Sequence, residues 1–385
     1  MIETVNIALS GSEHQYQINI GNDLLEGCGS WAKLKLSDSA RKIAVISNPK
    51  VFSLYGGEVT NRLIQAGFEV FVYKIGDGER FKNFRTLEKT LRFFSQNGLK
   101  RSDAAIALGG GVVGDLTGFA ASVYLRGVPF LQIPTTLLSM IDSSVGGKTA
   151  VNSTFGKNLI GTFYQPHGVL IDVATLQTLP RRELTAGFCE AVKQGAIADK
   201  KLFLQTAEFL QNFPNKRFKR YFRKSDFIEN LSKLIAAQVA FKAEIVKGDE
   251  QENLHRSDFR SRKILNFGHT VGHALEKVTA YKYFKHGEAV GLGMLAAGEI
   301  SKNVANLCQN ELNLLNDVVG LTGNLPNCQN IETEKVMEAF SFDKKNVGNA
   351  LQWILLEAIG QPKIVSGEEI PTDIIAKAVE AVLKR

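Results

Sequence analysis

Three of the six histidines lie close together, in Leu265-Asn-Phe-Gly-His269-Thr-Val-Gly-His273-Ala-Leu-Glu and in Lys285-His286-Gly-Glu288. His269 and His273, four apart, share one face if the segment is helical. Imidazole is a common metal ligand, so this pair with His286 behind it reads as a candidate metal site, set against the plainer reading of structural histidines. A carboxylate partner must come from elsewhere. Glu190, in Ala186-Gly-Phe-Cys-Glu-Ala-Val-Lys193, sits on a largely apolar helical stretch, where a buried acid needs a cation or protonates. Lys193 supplies one such cation as a simple helix pair, and a metal is the other.

A second chemistry-bearing stretch is Ala104-Ala-Ile-Ala-Leu-Gly-Gly-Gly-Val-Val-Gly-Asp-Leu-Thr-Gly118. Small apolar residues to Leu108 predict a buried strand, and the residues after Gly114 predict the opening of a helix. Glycines at the joint let an oxyanion approach the backbone beside a helix N-terminus, which makes a phosphate cradle. The spacing Gly109-x-Gly111-x-x-Gly114 meets the dinucleotide fingerprint, although no acid follows at about 20 residues to hold a ribose. Gly146-Gly-Lys148-Thr149 resembles part of a P-loop, but Asp142 stands where that motif needs glycine. Lys148 and Lys157 are then either solvated surface or ligands for phosphate and hydroxyl oxygens.

The elements that must position these groups alternate over the first half. Ile2 to Leu9, Tyr16 to Ile20, Lys42 to Ser47, Phe68 to Ile75 and Val169 to Val173 read as strands, with a helical stretch ending at Ala66. Alternation predicts a parallel sheet whose ligands sit at the carboxyl ends of its strands. The loops there are Asn48-Pro49, Gly76 to Lys82, the glycine turn and Pro134-Thr135-Thr136, and together they outline one site. From Pro180 the pattern is mostly helical, with Glu183 to Asp199, Phe227 to Lys247, Leu265 to Thr279 and Glu288 to Leu307, and only Leu351 to Ala358 and Lys363 to Ser366 read as strands. The expected domains are therefore 1–179 and 180–385, and a chain of 385 residues suits two cores better than one.

Composition narrows the class. Charged residues at 22% and a net charge of +7 fit a globular protein with an anionic partner: a phosphorylated metabolite, a dinucleotide or nucleic acid. The start, Met1 to Ser10, lacks the basic and apolar regions of a signal peptide, and no run approaches membrane-spanning length, so a cytoplasmic protein with no membrane partner is expected. Cys28, Cys189, Cys308 and Cys328 form no C-x-x-C, which favours reduced thiols. Lys216-Arg-Phe-Lys-Arg-Tyr-Phe-Arg-Lys224 interleaves bases with aromatics, as a nucleic-acid surface would. It reads instead as a solvated face with its aromatics turned inward, so no nucleic-acid partner is expected.

Across nearly the whole chain the residues resemble the 3-dehydroquinate synthases, within the sugar-phosphate cyclases. The marks are Gly-Gly-Gly-Val-Val-Gly-Asp115, Tyr124-Leu-Arg126-Gly, Pro134-Thr-Thr-Leu-Leu, Asp142-Ser-Ser-Val-Gly-Gly-Lys148-Thr, Gly156-Lys157-Asn158-Leu-Ile-Gly, Glu190-Ala-Val-Lys193, Asn266-Phe-Gly-His269-Thr-Val-Gly-His273, His286-Gly-Glu and Asp343-Lys344-Lys345. The resemblance implies an α/β fold in which an N-terminal Rossmann-like nucleotide-binding domain precedes a mainly helical metal- and substrate-binding domain, with the active site in the cleft between. It puts NAD on Asp77, Gly78, Glu79, Arg80, Phe81 and Lys82, on Gly111, Val112, Val113, Gly114 and Asp115, on Thr135, Thr136, Lys148 and Lys157, and on Thr175, Leu176, Gln177 and Thr178. Zinc, or cobalt in its place, would be held by Glu190, His269 and His286, which moves His273 from the ligand pair suggested by spacing to a substrate-side proton-transfer role. Arg126, Asp142, Asn158, Lys193, Lys242, Arg262, Asn266 and Lys344 match the family's substrate pocket.

The implied reaction converts 3-deoxy-D-arabino-heptulosonate 7-phosphate to 3-dehydroquinate and phosphate, a step of the shikimate route to aromatic amino acids. It proceeds by transient NAD-dependent oxidation, phosphate elimination, reduction and intramolecular aldol closure, and the family's habit is a homodimer. Two readings stand beside it: another sugar-phosphate cyclase, against which Asn266 with His273 argues, and a metal-dependent NAD polyol dehydrogenase, which would need no crowd of lysines for a phosphate. The chain also departs from the family's pattern. Asp249-Glu-Gln-Glu252 replaces Asp-Glu-Arg-Glu, polar residues 253–261 precede Arg262, Gln194 follows Lys193 in place of an aromatic or histidine, and Asn48 stands where an acidic ribose ligand is usual.

Overall fold

The structure is a computed structural model that describes residues 2–8, 15–154, 156–253, 256, 258–347 and 351–385, with the backbone alone described for 341–347. It divides into two compact units, Met1–Leu179 with Lys224–Lys247, and Pro180–Arg223 with Gly248–Arg385. A single cut after Leu179 does not describe this division. The helix Ser225–Gly248, read above as part of the helical half, belongs almost wholly with the first unit.

The first unit is built on β1 (Glu3–Ala8), β2 (Gln15–Gly21), β3 (Lys42–Ser47), β4 (Glu69–Lys74), β5 (Ala104–Gly109), β6 (Phe130–Pro134), β7 (Lys148–Ser153), β8 (Gly156–Phe163) and β9 (Gly168–Asp172). Seven of these form one sheet in the order β1-β2-β9-β6-β5-β3-β4, parallel throughout except for the β1/β2 pair. Its central strands are apolar on both faces, as a sheet covered on both sides requires. Ile43, Val45, Ile106 and Leu108 enter one core, while Ala44, Ile46, Ala105 and Ala107 enter the other, following the two-residue period of a strand. Because β3, β4, β5 and β6 are parallel, Asn48, the loop from Ile75, the glycine turn and Thr135 leave the sheet at one edge.

Residues 148–163, to which the sequence analysis assigned no element, form an antiparallel hairpin. Lys148 pairs with Phe163 and Val151 with Ile160, and a bulge separates Val151 from Ser153. Short polar alternation interrupted by glycine conceals this ribbon from periodicity.

The second unit is mainly helical, with one antiparallel pair, β10 (Gln352–Ala358) and β11 (Gln361–Ser366). The helices that matter for chemistry are Arg181–Ala198, His269–Val278 and His286–Val304. The continuous helix expected over 265–279 is broken: a 3-10 turn, Arg262–Asn266, ends before Gly268, whose φ of 77° caps the next helix. A Cβ on Gly268 would come within 2.8 Å of the Met294 backbone nitrogen, so both the turn and the close approach demand glycine.

Candidate active site

In the first unit the helix Gly111–Val123 starts directly after β5, and its N-cap, Gly110, offers no side chain to the first-turn amides. Those amides face the strand ends, where an anion is favoured by the helix dipole. The glycines also serve packing. A Cβ on Gly110 would sit 3.0 Å from Thr136 Cγ2, and one on Gly111 would sit 3.1 Å from Ser143 Oγ. Val112, Gly114 and Asp115 remain partly accessible in this first turn, whereas Val113 is 2% exposed and its side chain belongs to the core. Thr136 Oγ1 bonds Ser139 Oγ at 2.8 Å, while the buried Thr135 Oγ1 has no hydrogen-bond partner. An unpaired buried hydroxyl at the strand edge is a position that a polar ligand would satisfy.

The loop after β4 turns through Gly78, at φ 94°, into a 3-10 turn Glu79–Phe81. Asp77 and Arg80 are exposed, Asp77 accepts from Asn48 Nδ2 at 3.3 Å, and the Arg80 guanidinium lies 4.8 Å from the centre of the Phe81 ring. Lys82 ends the loop at 4% exposure and bonds both Asp115 and Asn158 Oδ1, the latter at 2.5 Å. Burial pushes the Asp115 carboxyl up from its ordinary value, and Lys82 opposes that shift. Asn158, at φ 57°, takes a left-handed conformation that asparagine tolerates better than most residues. Its backbone N–H donates to Asn152 Oδ1 at 3.0 Å, and Asn152 Nδ2 reaches Glu79 Oε1 at 2.7 Å, tying the hairpin to the loop.

Lys242, on the helix that returns to this unit, bonds both the carbonyl and the side-chain oxygen of Asp142. Lys148 is exposed and Lys157 is half-buried on the hairpin. Arg126 is exposed on a turn in which Leu125, Arg126 and Gly127 all have positive φ, at 51°, 66° and 122°. Thr175 to Thr178 lie in the 3-10 segment Val173–Thr178 after β9. Leu176 there is fully buried, so, like Val113, it has only its backbone to offer a ligand, while Gln177 and Thr178 are exposed.

In the second unit Glu190 is 0% exposed and Lys193 1%, with Lys193 Nζ 2.6 Å from Glu190 Oε2. The other oxygen, Oε1, lies 3.8 Å from His269 Nε2 and 3.6 Å from His286 Nε2, and neither oxygen accepts a hydrogen bond. His269 Nδ1 is 3.2 Å from the Phe267 carbonyl and His286 Nδ1 is 3.0 Å from Glu276 Oε2, so both rings turn Nε2 toward Glu190. The His273 ring stacks on His286 at 5.7 Å and is exposed, and one ring nitrogen from each of the three histidines lies within 4.8 Å of the others. Burial, with Lys193 and the other two histidines, holds His269 well below the ordinary imidazole range. Burial also pulls His286 down, but the Glu276 and Glu190 carboxylates outweigh it and raise the ring. Two converging imidazole nitrogens with a buried carboxylate oxygen could hold a metal ion, and so could the three imidazoles, whose nitrogens lie within 4.8 Å of one another.

Arg262 is 2% exposed, donates to the Glu250 carbonyl at 2.6 Å, and receives its own anchor from Asp249 Oδ2, which accepts its amide at 2.8 Å. Asn266 is exposed at the end of the 3-10 turn. Lys344 falls in the helix Thr333–Val347, but its side chain lies outside the described residues, as do residues 254, 255 and 257 of the polar insertion. In the basic stretch 216–224, Phe218 is 1% exposed and packs edge-on to Phe188 at 5.7 Å, while Lys216, Arg217, Lys219 and Arg220 face outward. Among the described residues no helix is long and apolar enough to cross a membrane.

Glu276 escaped the reading of the sequence, and Asp249 entered it only as the start of the Asp249–Glu252 stretch, with no role. Glu276 had a signal, since it follows His269 by seven residues and His273 by three and so falls on their helical face. The anchoring of Arg262 by Asp249 had none, because the two lie across a loop.

Comparison with known proteins covers both units. The model of the 3-dehydroquinate synthase N-terminal region matches residues 72–186, and that of the C-terminal region matches 187–346. The 3-dehydroquinate synthase of Thermodesulfovibrio yellowstonii is 40% identical over 96% of this chain and 98% of its own. Among solved structures, 2-epi-5-epi-valiolone synthase from Streptomyces hygroscopicus subsp. jinggangensis 5008, with NAD+ and Zn2+ bound, is 26% identical with a TM-score of 0.82 over 98% of this chain and 99% of that one. A 2-deoxy-scyllo-inosose synthase complexed with carbaglucose-6-phosphate, NAD+ and Co2+ shares the fold at 23% identity, a TM-score of 0.82 and the same coverage. With both regions matched in order and that identity held end to end, the chain is an enzyme of the 3-dehydroquinate synthase family.

Proposed function

We propose that the chain converts 3-deoxy-D-arabino-heptulosonate 7-phosphate to 3-dehydroquinate and phosphate with catalytic NAD and one divalent metal. The observation that carries the reading is the buried Glu190 Oε1, unbonded and faced by Nε2 of both His269 and His286. These three residues would hold zinc or cobalt, which when bound supplies a Lewis acid for the substrate's reacting hydroxyl. NAD would take the edge formed by residues 77–82, 111–115, Thr135, Thr136, Lys148, Lys157 and 175–178, where Thr135 Oγ1 lacks a partner, and would supply a reversible hydride acceptor.

The chain's own groups do the rest. Arg126, Lys148, Lys193, Lys242, Arg262 and Lys344 supply charge-assisted bonds to the substrate's carboxylate and phosphate. Lys193 also pairs with the buried Glu190 carboxylate at 2.6 Å, which holds that side chain in place. Asp142, anchored by Lys242, Asn158, held by Lys82, and Asn266 orient hydroxyls. His273, exposed beside His286, holds or releases a proton at a ring nitrogen during phosphate departure and ring opening.

The test mixes protein, substoichiometric NAD and the heptulosonate phosphate, and follows phosphate and NADH together. Phosphate released over many turnovers per NAD, with no accumulating NADH, is the expected result. NADH rising without phosphate would identify a polyol dehydrogenase instead. Turnover only with another heptulose phosphate would move the chain to a sister cyclase. The working form is proposed to be a cytoplasmic homodimer, for which light scattering should return the mass of two chains, and a single-chain mass at working concentration would exclude the dimer.

A further inference from the structure

We infer that Glu276 is a positioning residue of the metal site, setting the tautomer and basicity of His286; the inference rests on the metal reading above. Glu276 is 4% exposed in the helix His269–Val278, and its Oε2 lies 3.0 Å from Nδ1 of His286, which begins a different helix. A buried carboxylate is an acceptor, so His286 must present an Nδ1–H to it. That fixes the tautomer and leaves the Nε2 lone pair on the side of Glu190 Oε1, 3.6 Å away.

His269 is treated differently. Its Nδ1 faces a neutral acceptor, the Phe267 carbonyl, at 3.2 Å. The two imidazoles are therefore unequal: a carboxylate behind the ring increases electron density at Nε2 more than a carbonyl does. Glu276 makes His286 the stronger donor of the pair. It also spans two helices with one bond, so the angle of the His286 ring depends on it.

Zn2+ affinity is to be measured by chelator competition on the full chain, with the visible spectrum of the Co2+-loaded protein as a second readout. Glu276→Ala should weaken Zn2+ binding by about 100-fold, and Glu276→Gln, which keeps an acceptor oxygen and loses the charge, by about 10-fold. Both should shift the Co2+ bands, which a purely structural side chain would leave in place. The near-isosteric Gln variant, checked against the unaltered chain for its melting curve without metal, guards against a folding defect in the Ala variant. Unchanged affinity and spectrum in both variants, while His286→Ala loses the metal, overturn the role of Glu276 alone. Failure of the unaltered chain to hold Zn2+, or full retention by His286→Ala, overturns the metal reading and this inference with it.

Discussion

Glu190 is the residue on which the metal proposal turns, because a fully buried carboxylate calls for partners of opposite charge around it. Lys193 provides one at Oε2, and the Oε1 side is furnished with imidazole nitrogens instead of hydrogen-bond donors. Replacing Glu190, His269 or His286 with Ala should each remove bound zinc and activity together, and zinc analysis of the purified variants checks this. His273→Ala should keep its zinc and lose about 10²- to 10⁴-fold in turnover, the usual contribution of a general acid–base. Zinc lost along with activity in that variant would return His273 to the ligands. The cluster was legible as types and spacing. Helical spacing paired His269 with His273 because it sees one helix at a time, whereas the structure adds His286, and with it Glu190 on the helix Arg181–Ala198, to the same cluster.

At the scale of elements, the site exists because three helices approach to backbone contact. A Cβ on Gly287 would overlap the Ala186 carbonyl, and one on Gly293 would overlap the carbonyl of Gly268. Gly287 thus seats the start of the His286 helix against the Glu190 helix, and Gly293 seats it against the turn that opens the His269 helix. Gly287→Ala should cost about 1–3 kcal/mol of stability as an overpacking change and lower zinc affinity with it. Gly320→Ala makes the opposite control: it lies in the helix Gln309–Leu321 with open space around it, and alanine there should stabilise by about 0.5–1 kcal/mol. Denaturant midpoints of the two variants should therefore move in opposite directions, and a neutral Gly287→Ala would show that the helices have room to part. Strands such as Lys42–Ser47 were readable to the residue because their apolar runs end at a turn signal, Asn48-Pro49. The hairpin 148–163 was not. The strand Gly156–Phe163 has no buried residue to mark it, and Asn152 and Asn158 tie the hairpin to the 77–82 loop.

The division of the whole molecule shows the same limit. An apolar period of three and four identifies 225–248 as helix and Phe227, Leu231 and Ile235 as its buried residues, but nothing local says which unit the segment joins, and 224–247 go with the first. What composition did settle is the thiol chemistry, and burial sharpens it into a prediction. Cys28 and Cys189 are fully buried, and desolvation pushes both thiols up to about 12; Cys328, also buried, rises to about 11. Since the thiolate is the reactive form, these three are doubly protected, by access and by protonation. Cys308 alone among the four is exposed, at the N-cap of the helix Gln309–Leu321. A chromogenic disulfide reagent at pH 8 should therefore titrate one thiol per chain rapidly, and the other three only as fast as the protein opens. In denaturant all four should react at once. Two or more fast thiols in the native protein would mean that one of these cores is looser than its packing implies, and mass mapping of the labelled cysteine would say which unit is at fault.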